Sequence, residues 1–176
     1  MEIELEKTYL VRVMPDLNDF DFSLEMRDTY IPIDSDHPQM RLRQQGVKLF
    51  LTKKIPVVGG EGFEEYTIPL SKEEYAVFKK IKGRVLAKTR HVKLMSSGVT
   101  CHLDIYKENL EGLVVVDFEF NSEKVLRNFK APDYTLVEIH KKGPLAGGLL
   151  AGRSFSSLEK LLEKEYGYKK LLTRRP

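Results

Sequence analysis

A run of alternating side chains opens the chain and limits what it can fold into. Successive side chains of an extended strand point to opposite faces. Glu2, Glu4, Glu6 and Thr8 therefore share one side of residues 2–9, and Ile3, Leu5 and Tyr9 share the other. A strand of an antiparallel sheet with one wet face is built this way. The same spacing lets carboxylates converge on a hard divalent ion, which takes several oxygen ligands. Both readings stand at this point, and only the other strands can separate them.

Extended patterns recur along the chain. The first strand runs on to Val13 and stops near Pro15, which lacks a ladder donor. Further strands are expected over 24–33, 40–43, 47–54, 63–68, 84–94, 100–106, 112–120 and 134–140, with a hairpin at 44–46 and turns at 59–62 and 96–98. Ser71 and Glu74 have capping-box spacing, and Tyr75, Phe78 and Ile81 keep helical spacing up to Gly83. A short helix fits 123–129, ended by Pro132. Ser154 or Ser156 caps a last helix whose Leu158, Leu161, Leu162 and Tyr166 form an apolar stripe closing at Gly167. Eight or nine strands in hairpin-like order, with two or three helices and no linker, predict one α+β domain over 1–176, built on an antiparallel sheet.

Composition narrows the function classes. Hydrophobic residues make up 41% and charged residues 31%, and no apolar run is long enough to span a bilayer. The start is Glu-rich where a signal peptide would be basic and then apolar, so a cytoplasmic protein with no membrane partner is expected. The single cysteine, Cys101, permits no internal disulfide. A net charge of +3 is too small to imply nucleic acid, so the arrangement of charges matters more than their sum. Nothing here excludes a homodimer.

The arrangement is specific. Arg41 and Arg43 share a face, as do Lys48, Thr52 and Lys54, and so do Lys88 and Arg90. Against them stand Glu4, Glu6, Glu65, Asp104, Asp117, Glu119 and Glu138, while Val114, Val116, Phe118 and Phe120, or Val137 and Ile139, turn an apolar face the other way. A face rich in both signs either lies open to water or curls into a lumen, as in barrels of about eight strands. Buried charges need partners or ligands of opposite sign. Forked arginines and compact lysines suit phosphate oxygens, and carboxylates hold the ions that bridge them.

These residues resemble the CYTH-domain family, the triphosphate tunnel metalloenzymes. The family's E-x-E strand is met by Glu4-Leu5-Glu6, its R-x-R by Arg41-Leu42-Arg43, its T-x-K by Thr52-Lys53-Lys54 and its K-T-R by Lys88-Thr89-Arg90. Leu103-Asp104 precedes Gly112-Leu113, and Asp117-Phe118-Glu119-Phe120 and Glu138-Ile139-His140 follow in order. The resemblance implies an eight-stranded antiparallel closed β-barrel, the triphosphate tunnel, with flanking helices. It also implies a divalent-metal-dependent hydrolase of inorganic, organic or nucleoside triphosphates that uses Mg²⁺ or Mn²⁺. Carried over, Arg41, Arg43, Lys54, Lys88 and Arg90 would bind polyphosphate, and Glu4, Glu6, Asp117, Glu119 and Glu138 the metal. Asp117, standing where the family commonly has Glu, would reach an ion through water. Catalysis would fall to Glu4, Glu6 and Lys88. The chain departs from the family at Thr8, where a lysine belongs; Lys7 is one residue off and should face the other way.

The alternatives are a class IV-type adenylate cyclase and a non-catalytic nucleotide- or polyphosphate-binding module, the second favoured by Thr8. His37, His91, His102 and His140 lack metal-ligand spacing and read as surface or packing residues. Residues 143–152 lack the Lys-Ser/Thr ending of a P-loop and read as a mobile loop, a lid over one tunnel mouth.

Overall fold

The structure, a computed structural model, describes residues 5–36, 38–56, 63–95, 98–140 and 143–172. Glu4, His37 and the turn expected at 59–62 lie outside the described residues, as do Glu2, Ile3, Ser96 and Ser97. Nine strands form one sheet: β1 (Leu5–Val11), β2 (Phe22–Ile31), β3 (Met40–Gln45), β4 (Lys48–Pro56), β5 (Phe63–Pro69), β6 (Arg84–Met95), β7 (Val99–Tyr106), β8 (Val114–Phe120) and β9 (Thr135–Ile139). Four α-helices among the described residues accompany it: α1 (Lys72–Phe78), α2 (Glu123–Asn128), α3 (Gly147–Leu150) and α4 (Phe155–Tyr166). No helix among the described residues is long and apolar enough to cross a membrane.

The local signals are realised. The β3–β4 hairpin turns at Gly46, whose φ of +56° lies in the left-handed region that glycine adopts without a side-chain penalty. Ser71 and Glu74 satisfy each other's backbone donors at the start of α1. Ser154 caps α4, and Gly167 ends it in the left-handed conformation.

Strand order is β5-β4-β3-β2-β6-β7-β8-β1-β9, antiparallel throughout. Among the described residues β5 and β9 each pair on one side only, so the sheet stays open and the expected eight-stranded closed barrel is not formed. Packing accounts for this. One face of the central strands carries Leu10, Tyr30, Leu86, Tyr106 and Val115, and these join Leu145, Leu150, Phe155, Leu158 and Leu162 in one buried cluster. The segment containing α3 and α4 thus covers part of the very face that a barrel would turn inward. Residues 143–152 are accordingly no mobile lid: Leu145 and Ala151 are buried, and Leu150 is fully so.

The other face holds a second core, in which Tyr9, Val11, Leu103, Val116, Phe118 and Phe120 pack with Val125, Leu126 and Phe129 from α2 and the residue after it. Phe129 meets Phe118 and Phe120 at ring-centroid distances of 4.7 and 4.9 Å, within the range where aromatic pairs attract.

Candidate active site

Register decides which side chains share a face, because the side-chain period of a strand is two. Glu6 stands opposite Glu119, and Thr8 opposite Asp117. His102 is opposite Asp117, Arg90 opposite Asp104, Asp28 opposite Arg43, Arg41 opposite Thr52, and Lys54 opposite Glu65. The charged residues of eight strands therefore form one diagonal band, running from β1 and β8 across β7, β6, β2, β3 and β4 to β5. The apolar cluster beneath α3 and α4 lies along one flank of the band.

The band is a chain of ion pairs. Lys54 Nζ lies 2.9 Å from Glu65 Oε2, and Arg41 Nη2 lies 3.7 Å from the same oxygen. Arg41 also donates to the Tyr30 hydroxyl at 3.3 Å. Arg43 donates through Nε and Nη2 to the two oxygens of Asp28, both at 2.7 Å. Lys88 donates to Asp104, on which Arg90 closes a second fork of two 2.7 Å bonds. Arg90 reaches on to Asp117 at 3.3 Å, and Thr8 donates to the other oxygen of Asp117 at 2.7 Å. His102 Nδ1 sits 3.3 Å from Arg90 Nη1 and 3.2 Å from Glu119 Oε1.

Burial makes these pairs matter. Asp28, Lys88 and Asp104 are 2%, 7% and 1% exposed, and buried charges persist only when paired and hydrogen-bonded. Burial pushes the Asp104 carboxyl up, but Lys88 and Arg90 outweigh it and hold it down at about 2. Asp28 is held down too, burial being outweighed by Arg43. Asp117 goes the other way: burial, and then the neighbouring Asp104 charge, raise it above the ordinary carboxylate range despite Arg90. Glu119 at the rim is drawn down by the hydrogen bond from His102.

Of the residues expected from sequence, the structure gathers Glu6, Arg41, Arg43, Lys54, Lys88, Arg90, Asp117 and Glu119 on the band. Glu4 lies outside the described residues. Glu138 is placed on the opposite face: it stands across from Tyr9 and accepts from Lys7 Nζ and the Tyr9 hydroxyl, each at 3.2 Å. Apolar Val137 and Ile139 are the β9 residues that share the charged face, where both join the cluster under the helices. Lys7 faces away from the band, as expected.

Two band residues escaped the sequence reading. Asp28 was hidden because its same-face neighbours Met26 and Tyr30 are apolar and buried. His102 reads as a packing residue in isolation, although its two-residue spacing from Asp104 already put it on the charged face.

A divalent ion has a partial cradle here. Among the described residues no group of three or more His, Cys, Asp or Glu side chains could hold an ion alone. Glu6 and Glu119 are direct cross-strand neighbours, a relationship that sets Cβ atoms about 5 Å apart. Two carboxylates fit Mg²⁺, which keeps several waters and takes its remaining ligands from substrate phosphates.

One face of this antiparallel sheet thus carries a partly buried band of forked arginines, lysines and carboxylates, donors and acceptors of the kind that match phosphate oxygens and their counter-ions. No protein-family model matches the sequence. The chain is 30% identical over 137 residues to the inorganic triphosphatase of Nitrosomonas europaea, covering 77% of this chain and 88% of that protein. The crystal structure of an inorganic triphosphatase superposes with a TM-score of 0.64 at 27% identity, over 86% of this chain and 96% of the other. A candidate adenylate cyclase from Bacillus halodurans shares the fold, with a TM-score of 0.52 at 16% identity over 99% of this chain and 95% of that one. The chain belongs to the CYTH family of triphosphate tunnel proteins.

Proposed function

We propose that the protein is a metal-dependent triphosphate hydrolase that cleaves a phosphoanhydride bond of inorganic triphosphate or of an organic triphosphate. The observation that carries this reading is the convergence of Arg41, Arg43, Lys54, Lys88 and Arg90 on one face with Glu6, Asp117 and Glu119 at the end of the same band. The 30% identical relative, an inorganic triphosphatase, supports it.

Arg41 and Arg43 would grip phosphate oxygens, since forked guanidinium donors match them. Arg41 Nε is buried with no partner among the described residues. Lys54, half-exposed at the end of the band, would add a mobile point charge. Lys88 and Arg90, fixed by Asp104, would present preorganised positive charge to the transferring group. Glu6 and Glu119, with Asp117 behind them, would hold Mg²⁺ or Mn²⁺; Glu4 joins that set on the family resemblance alone. Such an ion would supply Lewis-acid polarisation of phosphoryl oxygens and a water of lowered pKa.

The test is phosphate release from inorganic triphosphate, ATP and thiamine triphosphate with Mg²⁺ or Mn²⁺, in wild type, Arg43→Ala and Glu119→Gln. Equal rates in all three proteins would sink the proposal. A second reading, binding without turnover, is favoured by Thr8 at the family's lysine position. Tight triphosphate binding by calorimetry with no product on chromatography would select it.

A further inference from the structure

His102 sits between an arginine of the band and a carboxylate at its rim. Its strand, β7, sets it directly opposite Asp117, and Glu119 stands two residues further along β8, opposite Thr100. The imidazole therefore meets Glu119 on the diagonal of the strand pair, a separation that an aromatic side chain can span. Its Nδ1 lies 3.2 Å from Glu119 Oε1 and 3.3 Å from Arg90 Nη1. Arg90 is fixed without this nitrogen: its Nε and Nη2 are taken by the two oxygens of Asp104, and Nη2 reaches Asp117 as well. Glu119 is placed differently, its side chain being 46% exposed against 14% for His102.

We propose that His102, with a proton on Nδ1, is a positioning residue for the divalent ion: it donates to Glu119 and holds that carboxylate where it can share the metal with Glu6. This rests on the metal-binding reading of Glu119 given above. Nδ1 offers either one proton or one lone pair. With the lone pair, two acceptors would face each other across 3.2 Å, so the N–H form is the one that suits the carboxylate. A half-exposed glutamate keeps rotamer freedom that it must give up on ligating an ion. A hydrogen bond from a packed ring takes up part of that cost beforehand and leaves Oε2 for the metal. Partners of this outer kind orient the ligands of a metal, and their loss typically weakens its binding about 10- to 100-fold.

The experiment measures Mn²⁺ binding without substrate, from the electron paramagnetic resonance signal of the free ion, in wild type, Glu119→Gln, His102→Leu and His102→Asn. Leucine removes the donor, whereas asparagine puts an N–H close to the place of Nδ1 and has no counterpart of Nε2. The expected result is about tenfold weaker binding in His102→Leu and near-wild-type binding in His102→Asn. Affinity for inorganic triphosphate in EDTA, read by calorimetry, should be unchanged in His102→Leu, because Arg90 keeps its fork on Asp104. Wild-type Mn²⁺ affinity in His102→Leu beside weakened binding in Glu119→Gln would overturn the positioning role and leave the metal site standing. Asparagine as weak as leucine would overturn it too, giving the imidazole itself a place at the ion. So would an equal loss of metal-free triphosphate affinity in His102→Leu, which would put the effect at Arg90. A Glu119→Gln variant that binds Mn²⁺ like wild type would take Glu119 out of the metal site, and the positioning role with it.

Discussion

Asp28 on β2 and Arg43 on β3 face each other across the strand pair in a fork of two 2.7 Å hydrogen bonds. The aspartate is almost wholly buried, and Arg41 stands 4.0 Å from it. One carboxylate thus orients both arginines of the R-x-R strand. Asp28→Asn keeps the shape and removes the charge. Losing one member of a buried pair costs about 3–5 kcal/mol, so the melting temperature should drop sharply. Inorganic triphosphate binding should weaken as well, read by calorimetry under conditions where the variant remains folded.

Asp104 makes stability depend on acid. Its folded pKa of about 2 lies below the ordinary value of 3.8. A group depressed on folding stabilises above its unfolded pKa and loses that contribution as pH falls through the folded one. About 2 kcal/mol should therefore disappear between roughly pH 4 and pH 2. Chemical denaturation across that window should show the loss in wild type. Asp104→Asn should be less stable at pH 7, because Lys88 loses its buried carboxylate and Arg90 its fork, and should have a flatter acid limb.

Glu119 and Glu138 give opposite predictions although both read as metal ligands in the sequence. Glu119→Gln should cut metal-dependent phosphate release by tenfold or more and raise the Mg²⁺ concentration needed for half-maximal rate. Glu138→Gln should leave both near wild type, because Glu138 is engaged with Lys7 and Tyr9 on the far face. Its stability change should be within about 1 kcal/mol, as for exposed ion pairs. A Mg²⁺ titration of activity for the two variants side by side checks this.

Thr8 holds Asp117 in place through a 2.7 Å hydrogen bond. Thr8→Val keeps the volume and takes that donor from a partly buried carboxyl that Arg90 still contacts, at a cost of about 1 kcal/mol. Urea unfolding should show the loss, and Thr8→Ser should recover most of it.

Leu158 is fully buried where α4 packs on the charged face of the sheet. Leu158→Ala should cost about 2–5 kcal/mol through the cavity it leaves. Thermal unfolding gives the size of the effect.

Much of the site could be read from the chain alone, for local reasons. Arg41 and Arg43, Lys88 and Arg90, and Asp117 and Glu119 each sit two apart, so each pair had to share a face once its segment was extended. Capping by Ser71 and Ser154, and the turn at Gly46, depend on nearest neighbours and were equally legible. Asp28 was not, because an acid among apolar neighbours announces no partner until β3 is laid beside it.

What the sequence determined by itself is therefore the alternation within each strand and the boundaries that caps and turns impose. Tertiary structure decided which way each alternating pattern points. In β9 the apolar Val137 and Ile139 turn toward the charged side, because the helices have built a core there, and Glu138 is left on the other. It also decided that the sheet remains open, with β5 and β9 unjoined. Periodicity fixes relative facing within a strand, whereas the choice of face, and of closure, depends on the surface that distant segments come to bury.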